Sequence, residues 1–339
     1  MKRLLASSVQ LALLAAISPA QTFVQAYGAG TSYSGVSADG GLVQVSAPGG
    51  ISLLTGSGSY VHGDAGFDIA GGVSNGGRES LGVIDNDLGF PRGFVRQGTS
   101  DYPLALGAGT GIFTSVVDAA GGRIAFVAYD PSTSAFGWAV DTGSGPATAF
   151  ESDGTVGSYS LAVNSISSTL IAGTGTNLAG DRQAWWYDGS FHQIALAPGE
   201  VADRLRLSVD ASGTQYLTGI VSVGADRYGT AWRIDGANAV PTGIHIDDAT
   251  DSAAAWDGRS AFWTPYHAYA ADLPTGTISE IRTETGDVLQ GVMSGFSRGS
   301  GFYLSGSFGA GTVQSVPEPA TIAALGIGVL ALRRRKRAS

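Results

Sequence analysis

Seven short segments ending in a turn recur along this chain, at a spacing that few architectures satisfy. They are Val36-Ser37-Ala38-Asp39-Gly40, Val73-Ser74-Asn75-Gly76-Gly77, Val117-Asp118-Ala119-Ala120-Gly121, Val163-Asn164-Ser165-Ile166-Ser167, Val209-Asp210-Ala211-Ser212-Gly213, Ala254-Ala255-Trp256-Asp257-Gly258 and Gly295-Phe296-Ser297-Arg298-Gly299. Their fifth residues stand at 40, 77, 121, 167, 213, 258 and 299, so the steps are 37, 44, 46, 46, 45 and 41. A unit of that length cannot bury its apolar face alone, and neighbouring units must stack to make a continuous core.

A second signal keeps a fixed distance from the first. A large aromatic, directly after a small residue in three cases of four, opens a strand-like stretch at Gly93-Phe94, Gly137-Trp138, Trp185-Trp186 and Ala231-Trp232. Counted to Phe94, Trp138, Trp186 and Trp232, the aromatics follow the preceding turn by 17, 17, 19 and 19 residues. Between the signals lie Arg123 to Tyr129, Thr169 to Gly173 and Tyr216 to Val221, rich in β-branched and aromatic residues and bounded by Gly or Asp. No part of the body shows a capped apolar stripe of helical period. With Gly at 52 and an apolar fraction of 43%, the chain has many tight turns and too much apolar surface to stay unfolded.

These features predict an all-β protein, a β-propeller of about seven blades. The first and last units are the most degenerate, which suits a closing blade that combines strands from both termini. In length and layout the units resemble secreted propeller blades of the kelch or related kind, without a complete family signature. A pair of β-sandwiches or a β-helix is the alternative architecture. The sixth unit departs most, because Phe262 and Trp263 follow its turn at once.

Both termini read as addresses. Lys2 and Arg3 precede the apolar run Leu4 to Ile17, and two small-x-small sites follow, Ser18-Pro19-Ala20 and Val24-Gln25-Ala26. Pro19 sits close to the first site, so cleavage is expected after Ala26, with the mature chain starting at Tyr27. At the other end Pro317-Glu318-Pro319 precedes an uncharged run from Ala320 to Leu332 and the cluster Arg333-Arg334-Arg335-Lys336-Arg337. At a helical rise those thirteen residues cover roughly 20 Å, against a hydrocarbon core of about 30 Å, a marginal anchor. Five consecutive cations resist translocation and hold that end in the cytoplasm, which leaves the body outside. The two prolines keep Glu318 extended and accessible.

Pro317, Glu318 and Pro319, with the apolar run and basic tail in that order, resemble the C-terminal sorting region of PEP-CTERM proteins, bacterial exported proteins processed by membrane-embedded exosortases. The resemblance implies export, a membrane-anchored precursor and an exosortase-like protease or transpeptidase as partner beside signal peptidase. It implies that Pro317, Glu318 and Pro319 are the recognition element and that Arg333 to Arg337 stop transfer. The expected organisation is a signal peptide at 1–26, a propeller-like repeat domain at 27–312 and a sorting segment at 313–339, a single hydrophobic helix.

Seven of the 19 Lys and Arg residues lie in these two signals, leaving 12, all Arg, against 27 acids once Glu318 is set aside. The body charge is therefore near −15, which repels phosphate backbones and anionic lipid, so nucleic acid is not an expected partner. The absence of Cys removes disulfides and thiolate chemistry, and stability must come from the core of roughly 290 residues.

Residues able to carry chemistry are few. His62, His192, His245 and His267 fall in different repeats with no His-x-x-x-His spacing, and read as surface or edge-strand residues. Gly72 to Gly76 and Gly295 to Gly299 match Gly-x-Ser-x-Gly, but each sits where the repeat needs a hairpin. Asp85-Asn86-Asp87 and Asp247-Asp248 with Asp251 offer oxygen ligands for calcium without the spacing of an EF-hand, and read as solvated turns. Gly173-Thr174-Gly175 also reads as a turn, and Trp185, Trp186 and Trp232 as packing between blades. No catalytic constellation, metal site or cofactor is nominated. The expected function is a non-enzymatic binding or structural role at the cell surface or in the extracellular matrix, with exopolysaccharide as partner, because the PEP-CTERM family is associated with exopolysaccharide-producing bacteria. The alternative is a secreted polysaccharide hydrolase or lyase with acidic residues in the propeller channel.

Overall fold

The computed structural model describes residues 20–36, 42–47, 50–55, 60–62, 67–69, 79–85, 90–97, 100–103, 114–120, 123–130, 135–142, 147–252, 257–298 and 301–316. Every regular element among them is a β-strand. Strand β1 (Ala20–Tyr27) stands apart in sequence from its partners. Four-stranded sheets then follow in chain order. The first holds β2 (Ser32–Val36), β3 (Leu42–Ala47), β4 (Gly50–Thr55) and β5 (Tyr60–His62). The second holds β6 (Phe67–Ile69), β7 (Glu79–Asp85), β8 (Phe90–Gln97) and β9 (Ser100–Pro103). Next come β10 (Thr114–Ala120), β11 (Arg123–Asp130), β12 (Ala135–Asp141) and β13 (Thr148–Phe150), then β14 (Ser160–Ile166), β15 (Ile171–Thr176), β16 (Arg182–Tyr187) and β17 (Phe191–Gln193). The fifth has β18 (Glu200–Val209), β19 (Gln215–Val223), β20 (Asp226–Asp235) and β21 (Asn238–Asp247).

The remaining strands form one eight-stranded sheet. One half is the meander β22 (Asp251–Ser252), β23 (Arg259–Trp263), β24 (Ala268–Asp272) and β25 (Thr277–Thr283). The other is β26 (Val292–Arg298), β27 (Gly301–Gly306) and β28 (Gly309–Val316), completed by β1. β1 runs antiparallel to β28, from Ala20 opposite Val316 to Tyr27 opposite Ala310, and parallel to β25 on its other side. The last sheet is thus closed by strands from both ends of the chain, and β2 packs against β26 and β27 to complete the ring. This is a β-propeller.

The two sequence signals map onto fixed places in this layout. Where the recurring turn segments are described in full, at β14–β15 and β18–β19, they span the end of a first strand and the passage to the second. The aromatics Phe94, Trp138, Trp186 and Trp232 all lie on third strands, β8, β12, β16 and β20. Successive side chains of a strand point to opposite faces, so Trp185 and Trp186 serve two interfaces. Trp185 packs with Ala125, Val140 and Val163 toward the preceding sheet, whereas Trp186 packs with Leu205, Leu217 and Trp232 toward the next. The sixth unit uses the same device one strand earlier. On β23, Phe262 joins Ile220 and Ile244 on one side, and Trp263 joins Ile281 and Phe302 on the other.

Gly173 and Gly175 are not in a turn; both lie within β15. A Cβ at Gly173 would run into the carbonyl oxygen of Ala162 and the Trp185 ring, so the missing side chain lets β14 and the indole approach. The expected domain boundaries, 26/27 and 312/313, fall inside β1 and β28.

Candidate functional site

In each meander the first-to-second and third-to-fourth connections lie at one end of the strands, here the first face. The second-to-third connections and the crossings to the next sheet lie at the other end, the second face. Inner strands are stitched together near the first face. Asp118 at the end of β10 accepts hydrogen bonds from Ser165 Oγ at 2.8 Å and Ile166 N at 2.9 Å. Ser165 Oγ accepts in turn from Leu207 N at 3.2 Å, and Ser208 Oγ accepts from Gly258 N at 3.1 Å. The turn at Asp210 illustrates the chemistry of this face. Its carboxylate accepts from Ser212 N at 2.9 Å, Ser212 Oγ at 2.6 Å and Thr214 N at 2.9 Å, and these bonds, led by the Ser212 hydroxyl, hold its pKa below the ordinary carboxylate value.

The second face differs in character. Of the eight exposed large apolar side chains among the described residues, Phe136, Tyr159, Leu178, Val223, Tyr266 and Met293 each sit on a second-to-third connection, a crossing, or the strand end beside one, whereas the less exposed Val240 and Ile278 lie toward the first-face ends of β21 and β25. Tyr159 and Leu178 are the most exposed aromatic and aliphatic of this set, at 75% and 81%.

A cleft of about 390 Å³ opens on the same face, between the β17–β18 crossing and the end of β21. Leu196, Glu200, Tyr228, Trp232, Ile244 and His245 line it. Tyr228 Oη donates to Glu200 Oε1 at 2.7 Å, and Ala197 N donates to Glu200 Oε2 at 2.8 Å, so both carboxylate oxygens are held. The His245 ring stacks on Tyr228 with centroids 4.4 Å apart, and its Nε2 lies 2.9 Å from Asp247 Oδ1. Burial, then the hydrogen bond and charge of Glu200, push the Tyr228 pKa up to about 12, so its phenol keeps its proton at neutral pH. The arrangement offers a π face beside carboxylate acceptors, suited to holding a hydroxyl-bearing ligand. Nothing in the sequence pattern singles this cleft out, because its residues come from three strands and a crossing with no shared spacing.

The sequence-nominated residues are dispersed. Pro317, Glu318, Pro319 and Arg333 to Arg337 lie outside the described residues, which end at Val316. Ala26 is exposed on β1, at a register shift between Gln25 and Tyr27. His192, on β17, stacks on Trp186 at 5.0 Å and lies 3.0 Å from Asp188; His267 stacks on Tyr269 at 5.9 Å and lies 3.5 Å from Glu280. With His245 they form three separate sets of histidine, aromatic and carboxylate; His62 lies on β5. Asp251 pairs with Arg204, and Asp247 with His245. Asp85 ends β7, while Asn86 and Asp87 lie outside the described residues. Gly295 to Arg298 belong to β26, a strand running into a hairpin. Among the described residues no three His, Asp or Glu side chains are grouped so that they could hold a metal ion. Among them also, no helix is long and apolar enough to cross a membrane; the apolar run Ala320 to Leu332 lies outside them.

The comparisons agree with both halves of this picture. The family described as PEP-CTERM protein-sorting motif matches residues 315–337. No curated protein matches the chain in sequence. Among solved structures, the β-propeller domain of the Trilobed protease from Pyrococcus furiosus, described as having an open velcro topology, superposes with a TM-score of 0.50 at 12% identity, over 85% of this chain and 94% of that one. YCF48 from Cyanidioschyzon merolae gives 0.49 at 11% identity, over 88% and 99%. The extracellular domain of the putative hybrid two-component system BT4673 from B. thetaiotaomicron gives 0.42 at 12% identity, over 87% of this chain and 39% of that one. At such identities the Pyrococcus likeness shows the fold alone. The chain is an exported β-propeller with a PEP-CTERM sorting signal, made as a membrane-anchored precursor for an exosortase-type enzyme.

Proposed function

We propose that this propeller is a non-enzymatic binding or structural module of the cell surface or extracellular matrix, and that its second face engages exopolysaccharide. One observation carries the reading. The sorting motif follows directly on Val316, at the first-face end of β28, whereas Tyr159, Leu178, Tyr266 and Met293 lie on the opposite face. A precursor tethered by its tail therefore turns the exposed aromatic and apolar groups away from the membrane. Exposed tyrosines stack on sugar rings, and the Tyr228–His245 cleft adds carboxylate acceptors for hydroxyls.

The hydrolase or lyase alternative needs acids free to act in the channel. Around β18 two carboxylates are instead paired with guanidinium groups, Asp251 with Arg204 and Asp203 with Arg182 at 4.0 Å.

Pull-down of the mature protein with exopolysaccharide purified from its own producer tests the proposal. Binding should weaken at least several-fold in Tyr159→Ser/Tyr266→Ser and in His245→Ala, with polymer length unchanged on incubation. No retention on any polysaccharide fraction, or shortening of the polymer, would sink it.

A further inference from the structure

We propose that the leader is removed after Ala20, in Ser18-Pro19-Ala20, and that Gln21 to Tyr27 remains in the mature protein as the strand that closes the ring. A cut after Ala26 leaves the smaller body that the sequence alone suggests. It also removes nearly all of β1, and four observations show how that strand is built into the fold.

β1 is an interior strand. It lies between β28 and β25, so its loss splits the eight-stranded sheet and bares the ladder groups of β28. The Phe23 side chain is 3% exposed and belongs to the same apolar cluster as Trp263, Ile281, Phe302 and Leu304. Its ring meets Phe308 edge to face at 4.9 Å, and Gln25 Nε2 donates to the Phe308 carbonyl at 2.8 Å, so two side chains of one strand face hold the β27–β28 turn. Gly311 is fitted to it as well, because a Cβ there would collide with the Val24 carbonyl and the Phe23 ring. A segment destined for removal has no need of such a seat.

In sequence, the small-x-small site Ser18-Pro19-Ala20 ends where this strand begins. Ala20 is the first residue of β1 and stands opposite Val316, the last residue of β28. The sorting motif begins at the next residue, Pro317. Both processing points thus fall at one end of one strand pair, and the chain between them is the complete propeller. The topology agrees: a leader with Lys2 and Arg3 inside delivers its C-terminal end outside, where the tail with Arg333 to Arg337 inside also begins.

Intact mass and N-terminal peptide mapping of the mature protein, expressed full-length in a host with an exosortase system, test the inference. The expected N-terminus is Gln21, free or cyclised by attack of its α-amine on the side-chain amide with loss of ammonia. A mature chain starting at Tyr27, or one that keeps its leader, overturns it. Ala20→Tyr gives an independent reading, since a bulky residue at the cut should abolish the Gln21 product. Unchanged release of a Tyr27 product from that variant would place the cut at Ala26 and end the proposal.

Discussion

Phe23 and Phe308 meet edge to face with ring centroids 4.9 Å apart, joining the first described strand to the turn before the last. Because Phe23 is 3% exposed, Phe23→Ala leaves a cavity in the closing sheet. The expected cost is about 3–5 kcal/mol of unfolding free energy. Denaturant unfolding of the full chain measures it, and a loss below about 1 kcal/mol would mean that β1 does not seat as described.

Asp118 has a different role, since it answers groups on the next sheet. Asp118→Ala strips Ser165 Oγ and Ile166 N of a buried acceptor, so a loss of about 1–3 kcal/mol is expected. Asp118→Asn keeps an amide oxygen in place and should cost less. Equal losses in the two variants, read from unfolding midpoints, would show that the carboxylate charge rather than the acceptor matters.

The sequence made the sheet plan legible for a physical reason. Turn formers such as Asp210-Ala211-Ser212-Gly213 are dictated locally, and each repeat needs one between its first and second strands. The aromatic marks a third strand, although Trp186 and Trp232 stand in its later half rather than opening it, and it is likewise a local cue, because both inter-sheet faces of that strand need bulk. What escaped local reading depends on partners far along the chain. Gln21 to Tyr27 resembles the end of a leader until β28 and β25 are set on either side of it. Gly173 looks like a turn residue until the Trp185 ring and the Ala162 carbonyl are seen to occupy its missing side chain's space. The Tyr228–Glu200–His245 cleft escaped for the same reason, since β18, β20 and β21 bring its residues together.

Two glycines on neighbouring sheets should respond oppositely to alanine. Gly173 has no room, so Gly173→Ala forces overpacking worth about 1–3 kcal/mol of lost stability. At Gly137 on β12 a Cβ meets nothing within 4 Å, so Gly137→Ala should be neutral or stabilising by about 0.4–1 kcal/mol through the unfolded chain. Paired thermal melts distinguish them, and an equal drop in both would refute the close approach at β15.

Tyr228 predicts an alkaline limit to stability. Its folded pKa is pushed up to about 12, above the ordinary value of about 10, so the fold favours the protonated phenol. The contribution is fully present below pH about 10 and is lost as pH rises toward about 12. Tyr228→Phe removes the proton and the bond to Glu200, so the variant should be less stable at neutral pH and should lose less across that alkaline window. Parallel slopes for variant and parent over the window would contradict the half-buried phenol–carboxylate contact.

Glu318 carries the last expectation, because the sorting motif starts where β28 stops. With Val316 still paired to Ala20, no slack separates the folded body from Pro317, and an enzyme that engages Pro317-Glu318-Pro319 must work against the propeller's edge. Glu318→Ala should therefore yield an uncleaved, membrane-retained form with Arg333 to Arg337 still attached, detectable by C-terminal peptide mapping of the membrane fraction. Inserting a short Gly-Ser spacer between Val316 and Pro317 should leave cleavage intact or speed it, because the motif then reaches the enzyme free of the strand. Normal maturation of Glu318→Ala would remove that carboxylate from recognition, and slower cleavage of the spacer variant would show that the enzyme uses the edge of the propeller itself.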